Sequence, residues 1–284
     1  MPVIDSHQHF WTLADPWFEW PTPDLGPIHK DFGPDELAPL LAASRVDHTM
    51  LVQVAPVVAE TRGLLAIADS TGFVAGVVGW VDLESLGGVA DLEGFSTRRK
   101  FVGIRPMIQS IPDPDWMLRP QLAPALAAVE RLGLTFDALV RPRHLRALCS
   151  FVDRYPHLRV VVDHGAKPAI AEGRAGFKAW EDGIKSLAER PQVYCKLSGL
   201  LTEAGDRGSN EDLAPFIDHL LETFGPERLM WGSDWPVVEL VDSYGAWFDL
   251  ARSHLAGLSK RERDLIFGEV AQHFYGLLAT EERT

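Results

Sequence analysis

Eight short apolar runs, each followed by a stretch with helical spacing, recur from one end of this chain to the other. That alternation constrains the fold more than any other feature. The runs cover residues 3–10, 49–54, 73–81, 101–105, 134–139, 158–164, 193–198 and 229–234. They are nearly continuous in Val, Ile, Leu and Phe rather than alternating with polar residues, the pattern of parallel strands buried on both faces. Between them, Pro34-Asp35-Glu36 opens a helix, with proline in the first turn and acids near the positive end of the dipole. Residues 122–132 and 145–155 carry apolar side chains three and four apart, and the first stretch stops at Gly133. Residues 212–224 repeat the pattern before Gly225-Pro226, and two further helices are expected to fill 243–278. No linker or low-complexity tract divides the chain. The expectation is a single α/β domain over residues 1–284, a (β/α)8 TIM barrel. An open doubly wound sheet is the alternative, but the Gly-rich nucleotide turn after the first run is missing.

Composition narrows the partners. With 40 acidic against 27 basic side chains the formal net charge is -13, which supplies no basic patch for nucleic acid or an anionic membrane. Two cysteines, Cys149 and Cys195, are too few for a disulfide scaffold or a cysteine-rich metal site. No long apolar window suggests a membrane span, and the first residues run directly into Val3-Ile4-Asp5 with no readable leader. A soluble cytoplasmic protein is the expectation, as a monomer or a homodimer.

In a barrel of this kind the reactive groups gather at the C-terminal ends of the strands. There the sequence places His7 and His9 on the first run, Arg105 on the fourth, His164 on the sixth and Asp234 on the eighth. His7 and His9 are two residues apart and project to one side of their strand. Asp137 in the fifth run and Lys196 in the seventh are further members whose facing the pattern does not fix. Each group alone has an ordinary explanation, such as a hydrogen-bonded loop histidine or an aspartate capping a turn. Their convergence at one mouth is harder to explain away. Three imidazoles and a carboxylate can hold one divalent ion, zinc or manganese, through His7, His9, His164 and Asp234. The same groups can also work without metal, the carboxylate taking a proton from water while imidazoles and a cation polarise a carbonyl. Arg105 stays protonated, so its role is to bind a carbonyl, a carboxylate or a developing oxyanion, or else to form a rim salt bridge. Gln109 and the segment 112–116 are expected over the mouth. Among the tryptophans there, Trp116 is expected to touch substrate, and Trp17 and Trp20 to pack loops. Lys167 is expected to be an exposed or salt-bridged side chain.

The segments Asp5-Ser6-His7-Gln8-His9-Phe10-Trp11, Val162-Asp163-His164-Gly165-Ala166-Lys167-Pro168 and Gly232-Ser233-Asp234-Trp235-Pro236 resemble the amidohydrolase superfamily. More narrowly they resemble its lactonase branch, which holds sugar-lactone hydrolases and the 2-pyrone-4,6-dicarboxylate lactonase. Val77-Val78-Gly79-Trp80-Val81-Asp82, Gly103-Ile104-Arg105, Leu139-Val140-Arg141-Pro142-Arg143-His144-Leu145 and Cys195-Lys196-Leu197-Ser198-Gly199-Leu200 extend the match over most of the chain, in order. The resemblance implies a (β/α)8 hydrolase that opens lactones, with His7, His9, His164 and Asp234 as its core and Asp234 as the base for the attacking water. It implies substrate contact for Arg105, and Gln109, Trp116 and Lys196 join it as candidate binding residues. The bridging lysine or glutamate of two-metal members is not visible, so a binuclear site is not expected, and the same four residues serve with one metal ion or without it. Pro106 stands where sugar-lactonase relatives often have histidine.

The expected activity is therefore hydrolysis of a sugar lactone of the fucono-, galactono- or rhamnono-lactone type. The rival within the branch, a pyrone dicarboxylate, would demand several arginines at the mouth, for which Arg105, Arg141 and Arg143 are candidates. Zinc-dependent decarboxylation of an aromatic acid is a second alternative and needs tightly held metal. A barrel kept only as a scaffold would tolerate losing His7, His9 and Asp234 together.

Overall fold

The computed structural model describes residues 1–277. Eight strands run parallel in the order of the sequence. They are β1 (Ile4–Gln8), β2 (His48–Val52), β3 (Val74–Gly79), β4 (Phe101–Ile104), β5 (Thr135–Ala138), β6 (Arg159–Val162), β7 (Val193–Leu197) and β8 (Leu229–Trp231). Just beyond the β8 end the chain meets β1 again. Asp234 N donates to the His7 carbonyl at 2.8 Å and His9 N to the Trp235 carbonyl at 2.8 Å, closing the ring where Asp234 must stand beside the two histidines. The expected barrel is therefore present, and the doubly wound alternative is not.

Helices follow the strands: α1 (Pro34–Ser44), α2 (Val58–Ser70), α3 (Gly88–Ser96), α4 (Ala123–Arg131), α5 (Leu145–Arg154), α6 (Arg174–Ala188), α7 (Asn210–Phe224) and α8 (Tyr244–His254). The helix α7 begins two residues before the apolar pattern suggests, because the Ser209 hydroxyl accepts the Asp212 amide at 3.2 Å and caps it. The expected final helix is Lys260–Asp264, a π-turn at Leu265–Glu269, and Val270–Phe274; Leu278, its expected end, lies outside the described residues.

Two apolar layers follow from the period of two along each strand. Leu51 joins the large cluster between sheet and helices, while its neighbours Met50 and Val52 join Ile4, Val78, Val161 and Met230 inside the barrel. Phe274 and Tyr275 close that inner cluster from below, near the chain start, where Gly268 lies against the Pro2 carbonyl. Both layers are buried, so no strand needs a polar face, which is why the runs read as continuous. No helix among the described residues is long and apolar enough to cross a membrane.

Candidate active site

All four core residues meet at the open end of the barrel, where His9, His164 and Asp234 line a cavity of about 610 Å³ and His7 is buried against them. His7 lies inside β1, and His9, Arg105, His164 and Asp234 each lie one to three residues beyond a strand end. His7 Nε2 is 3.2 Å from His9 Nε2, while Asp234 Oδ1 is 3.3 Å from His9 Nε2, 3.7 Å from His7 Nε2 and 3.8 Å from His164 Nε2. The backbone is bent to allow this: Asp234 has φ +57°, and His164, Gly165, Ala166 and Lys167 form a consecutive left-handed turn with φ between +51° and +65°. Such angles cost non-glycine residues about 1–2 kcal/mol each. The turn places Lys167 beside His164, and both line the cavity.

Each imidazole is held by its far nitrogen. The Nδ1 of His9 sits 2.8 Å from the Val52 carbonyl, which only accepts, so that nitrogen carries the proton and Nε2 presents a lone pair. His164 Nδ1 is 2.8 Å from the Ser198 hydroxyl. The Asp5 carboxylate accepts from His7 N at 3.1 Å and Ser233 N at 2.8 Å, tying β1 to the turn after β8.

Burial dominates the charges. It lowers all three imidazoles below their ordinary range, His164 to about 4 despite the opposing pull of Asp234, so they are neutral near pH 7. Burial works against ionisation of Asp234 as well. The field of His164, the hydrogen bond with His9 and the fields of His7 and His9 outweigh it and hold this carboxylate well below its usual range.

Beneath the histidines lies a charged layer. Lys196, on β7 and fully buried, donates to Asp137 Oδ2 on β5 at 2.6 Å and lies 3.0 Å from Asp163 Oδ1. Tyr275 also donates to Asp137 at 2.7 Å. Burial raises the Asp137 carboxyl, with Lys196 pulling it partly back. Burial opposes ionisation of Asp163 too, but Lys196 and His7 hold it well below the usual range. Arg105 completes the layer: one guanidinium nitrogen donates to the Gln53 carbonyl, and Nη1 lies 3.3 Å from His7 Nε2 and 3.7 Å from Asp163 Oδ2. The Gln53 amide returns a bond to the Arg105 carbonyl at 2.7 Å, and Glu60, its carboxyl pushed up to about 8 by burial, accepts the Val54 and Ala55 amides above it.

The cavity wall departs from expectation in three ways. Gln109 lines it, with Oε1 buried and unpartnered, but Trp116 does not. A one-turn helix at Trp116–Leu118 folds that indole into the main hydrophobic cluster, where it is 5% exposed. Lys196 lies under the floor rather than in the lining, so its partners are protein groups. Trp17 and Trp20, expected only to pack loops, form the aromatic wall with Phe18, and the Trp17 indole N–H is buried without a partner. Lys167 is salt-bridged, as expected, to Glu203 at 2.8 Å. Asp163 and Glu60 are the site residues that sequence reasoning misses. Asp163 had a signal available, since it ends an apolar run as His164 does.

Fold and site together define a barrel hydrolase built on converging imidazoles and a carboxylate. A family model described as Amidohydrolase matches residues 4–277, and the chain belongs to that family. It is 47% identical over 96% of its length to an L-fucono-1,5-lactonase of Burkholderia ambifaria, covering 94% of that protein. It is 35% identical to an L-fucono-1,5-lactonase of Burkholderia multivorans, with 96% of each chain covered. The crystal structure of a Burkholderia multivorans amidohydrolase with bound zinc superposes with a TM-score of 0.93 at 33% identity, over 98% of this chain and 100% of that one.

Donor type and spacing here suit a divalent ion. Zinc bonds of about 2.0–2.1 Å in a tetrahedron put neighbouring ligand atoms roughly 3.3 Å apart. The separations among His7 Nε2, His9 Nε2 and Asp234 Oδ1 run from 3.2 to 3.7 Å.

Proposed function

We propose that this enzyme hydrolyses a sugar lactone, of the L-fucono-1,5-lactone kind that the named relatives act on. The observation that carries the chemistry is Asp234, a carboxylate held ionised on the cavity floor with Arg105 in the same lining. Water bound against Asp234 gives up a proton to the carboxylate as its oxygen attacks the ring carbonyl carbon. The Arg105 guanidinium and the His164 ring then face the oxyanion that forms. The bond from that carbon to the ring oxygen breaks, the proton returns from Asp234 to the departing oxygen, and the product is the open hydroxy acid. Neither cysteine competes as a nucleophile: Cys195 is buried with its thiol pushed up by burial, and Cys149 lies on α5, outside the cavity.

A metal ion, where one binds, would be held by His7, His9 and Asp234 with His164 nearby, and would supply Lewis acidity toward a carbonyl or water oxygen. The wall favours a neutral polyhydroxy ring over a dicarboxylate. Of the cations at the mouth, Lys167 is paired with Glu203, Arg143 donates to the Gln109 carbonyl, and Arg141 lies outside the lining. That leaves Arg105 in the lining for substrate, while the unpartnered side-chain amide oxygen of Gln109 and the Trp17 N–H suit hydroxyl groups.

The test is a panel of sugar and pyrone lactones in a weakly buffered pH-indicator assay, with and without prior chelation. Rapid acid release from a sugar 1,5-lactone supports the reading. Turnover that survives chelation makes the metal dispensable. Silence across the panel in zinc- and manganese-replete enzyme overturns it in favour of decarboxylation.

A further inference from the structure

We propose that Glu60 is a positioning residue for Arg105, and that it acts through the one peptide group joining Gln53 to Val54. Glu60 stands in the first turn of α2, 3% exposed and outside the cavity lining. Its Oε1 accepts the Val54 amide at 2.8 Å and its Oε2 the Ala55 amide at 2.9 Å. The Gln53 carbonyl belongs to the same peptide group as the Val54 N–H, and it accepts the Arg105 Nη2 donor. A peptide group is planar, and in its trans form the N–H and C=O point in opposite directions. Fixing the N–H therefore fixes the direction of the C=O. A carboxyl on one side and a guanidinium on the other polarise the group between them, which strengthens both hydrogen bonds. The charges support the same link. Burial opposes ionisation of Glu60, whereas the two amides and the field of Arg105 favour it and Asp15, in the loop after β1, opposes it.

Arg105 depends on that carbonyl for its aim. Its backbone is pinned at both polar atoms, with N donating to the Gly79 carbonyl at 2.8 Å and O accepting Gln53 Nε2 at 2.7 Å. Those bonds fix the start of a long side chain and leave its end to be held separately. At that end Nε is buried without a protein partner, and Nη1 lies 3.3 Å from His7 Nε2 and 3.7 Å from Asp163 Oδ2. Among the described residues, the Gln53 carbonyl is the one oxygen that accepts a hydrogen bond from this guanidinium. A group that meets a developing oxyanion must be held to within about 0.5 Å. Glu60 can supply that precision because its own turn is fixed. The next residue, Thr61, accepts the Trp80 amide and donates to the Trp80 carbonyl, both at 2.8 Å, tying α2 to the end of β3. Weakening the Glu60 contact frees the Gln53–Val54 peptide to rotate and the guanidinium to follow it.

The inference takes from the proposed function only the placing of Arg105 at the oxyanion. Its test is a double-mutant cycle in lactone kinetics with Glu60→Gln and Arg105→Lys. Glutamine keeps one acceptor oxygen but sets an NH2 group against the second amide. Lysine, with one compact ammonium, cannot hold the Gln53 carbonyl and face the cavity together. Glu60→Gln is expected to lower kcat by about fivefold or more with KM within about twofold, and by less than about twofold in the Arg105→Lys background. The same factor in both backgrounds, or a folded Glu60→Gln with wild-type kcat, overturns the inference. A second readout, hydrogen exchange followed by nitrogen NMR, needs no substrate. In Glu60→Gln the Arg105 Nε–H, assigned by its loss in Arg105→Lys, is expected to exchange about tenfold faster or more, with the Arg105 backbone amide within about twofold of wild type. Equal acceleration of the two, or of neither, overturns the inference. A wild type that turns over no lactone removes the lactonase reading, and the exchange rates then decide the positioning. If Glu60→Gln does not fold, Glu60→Asp, which keeps both oxygens but falls one methylene short, carries both measurements.

Discussion

Gly199 lies flat against the His164 imidazole: a Cβ at this position would stand 2.4 Å from Nδ1 and 2.6 Å from Cγ, and 3.1 Å from Asp234 Oδ2. The residue also has φ +61°, which a side chain disfavours by about 1–2 kcal/mol. Gly199→Ala therefore displaces His164 from Ser198 and from Asp234 together. We expect a stability loss of about 2 kcal/mol or more, from backbone strain and the forced shift combined, and at least a tenfold drop in kcat/KM. Urea unfolding and lactone kinetics on the same preparation check both. An unchanged kcat/KM would show that the ring position is not critical.

Asp234→Asn removes the base while keeping a residue that tolerates positive φ, so the turn after β8 should survive. Loss of general-base catalysis typically lowers turnover by about 10²–10⁴. We expect a kcat fall in that range with circular dichroism unchanged. A variant within threefold of wild type would sink Asp234 as the base.

How much of this site is legible in the sequence depends on where the chain leaves its strands. His7, His9, Arg105, His164 and Asp234 can be read because a parallel barrel brings all its strand ends to one mouth. Asp163 escapes because strand alternation would send it away from His164, whereas the left-handed turn at 164–167 aims both inward. The facing of Asp137 and Lys196 is hidden for a related reason. When both sides of a strand are buried, apolar residues occupy both alternations, and nothing in the run marks the interior. Trp116 is misjudged because a loop position says nothing about which way one turn of helix rotates an indole.

Trp17 supplies the wall with an N–H that no protein group takes up. A lactone hydroxyl or ring oxygen can accept it on binding. Trp17→Phe retains an aromatic face and deletes only the donor. One hydrogen bond is worth about 0.5–1.5 kcal/mol, which raises KM by roughly two- to tenfold. We expect that change with kcat within twofold. An unaltered KM would mean that the Trp17 N–H does not reach the substrate.

The buried neutral His164 makes stability depend on pH in a direction that can be worked out. Its folded value, about 4, lies below the ordinary 6.5. As pH falls from 6.5 the unfolded chain takes up this proton and the folded protein does not, so the stability held at higher pH is lost until pH passes about 4. At 1.36 kcal/mol per pH unit the loss between pH 7 and 4.5 is about 2–3 kcal/mol. Asp5, pushed up to about 6 by burial, acts in the opposite sense, because ionisation above the ordinary 3.8 favours the unfolded chain. Its contribution is common to wild type and His164→Asn, so the difference between the two isolates His164. With zinc removed, the stability of the wild type relative to His164→Asn should fall by about 2–3 kcal/mol from pH 7 to pH 4.5 in urea titrations. A constant difference over that range would mean that His164 takes up its proton in the folded site at the same pH as in the unfolded chain, so that burial does not hold it neutral.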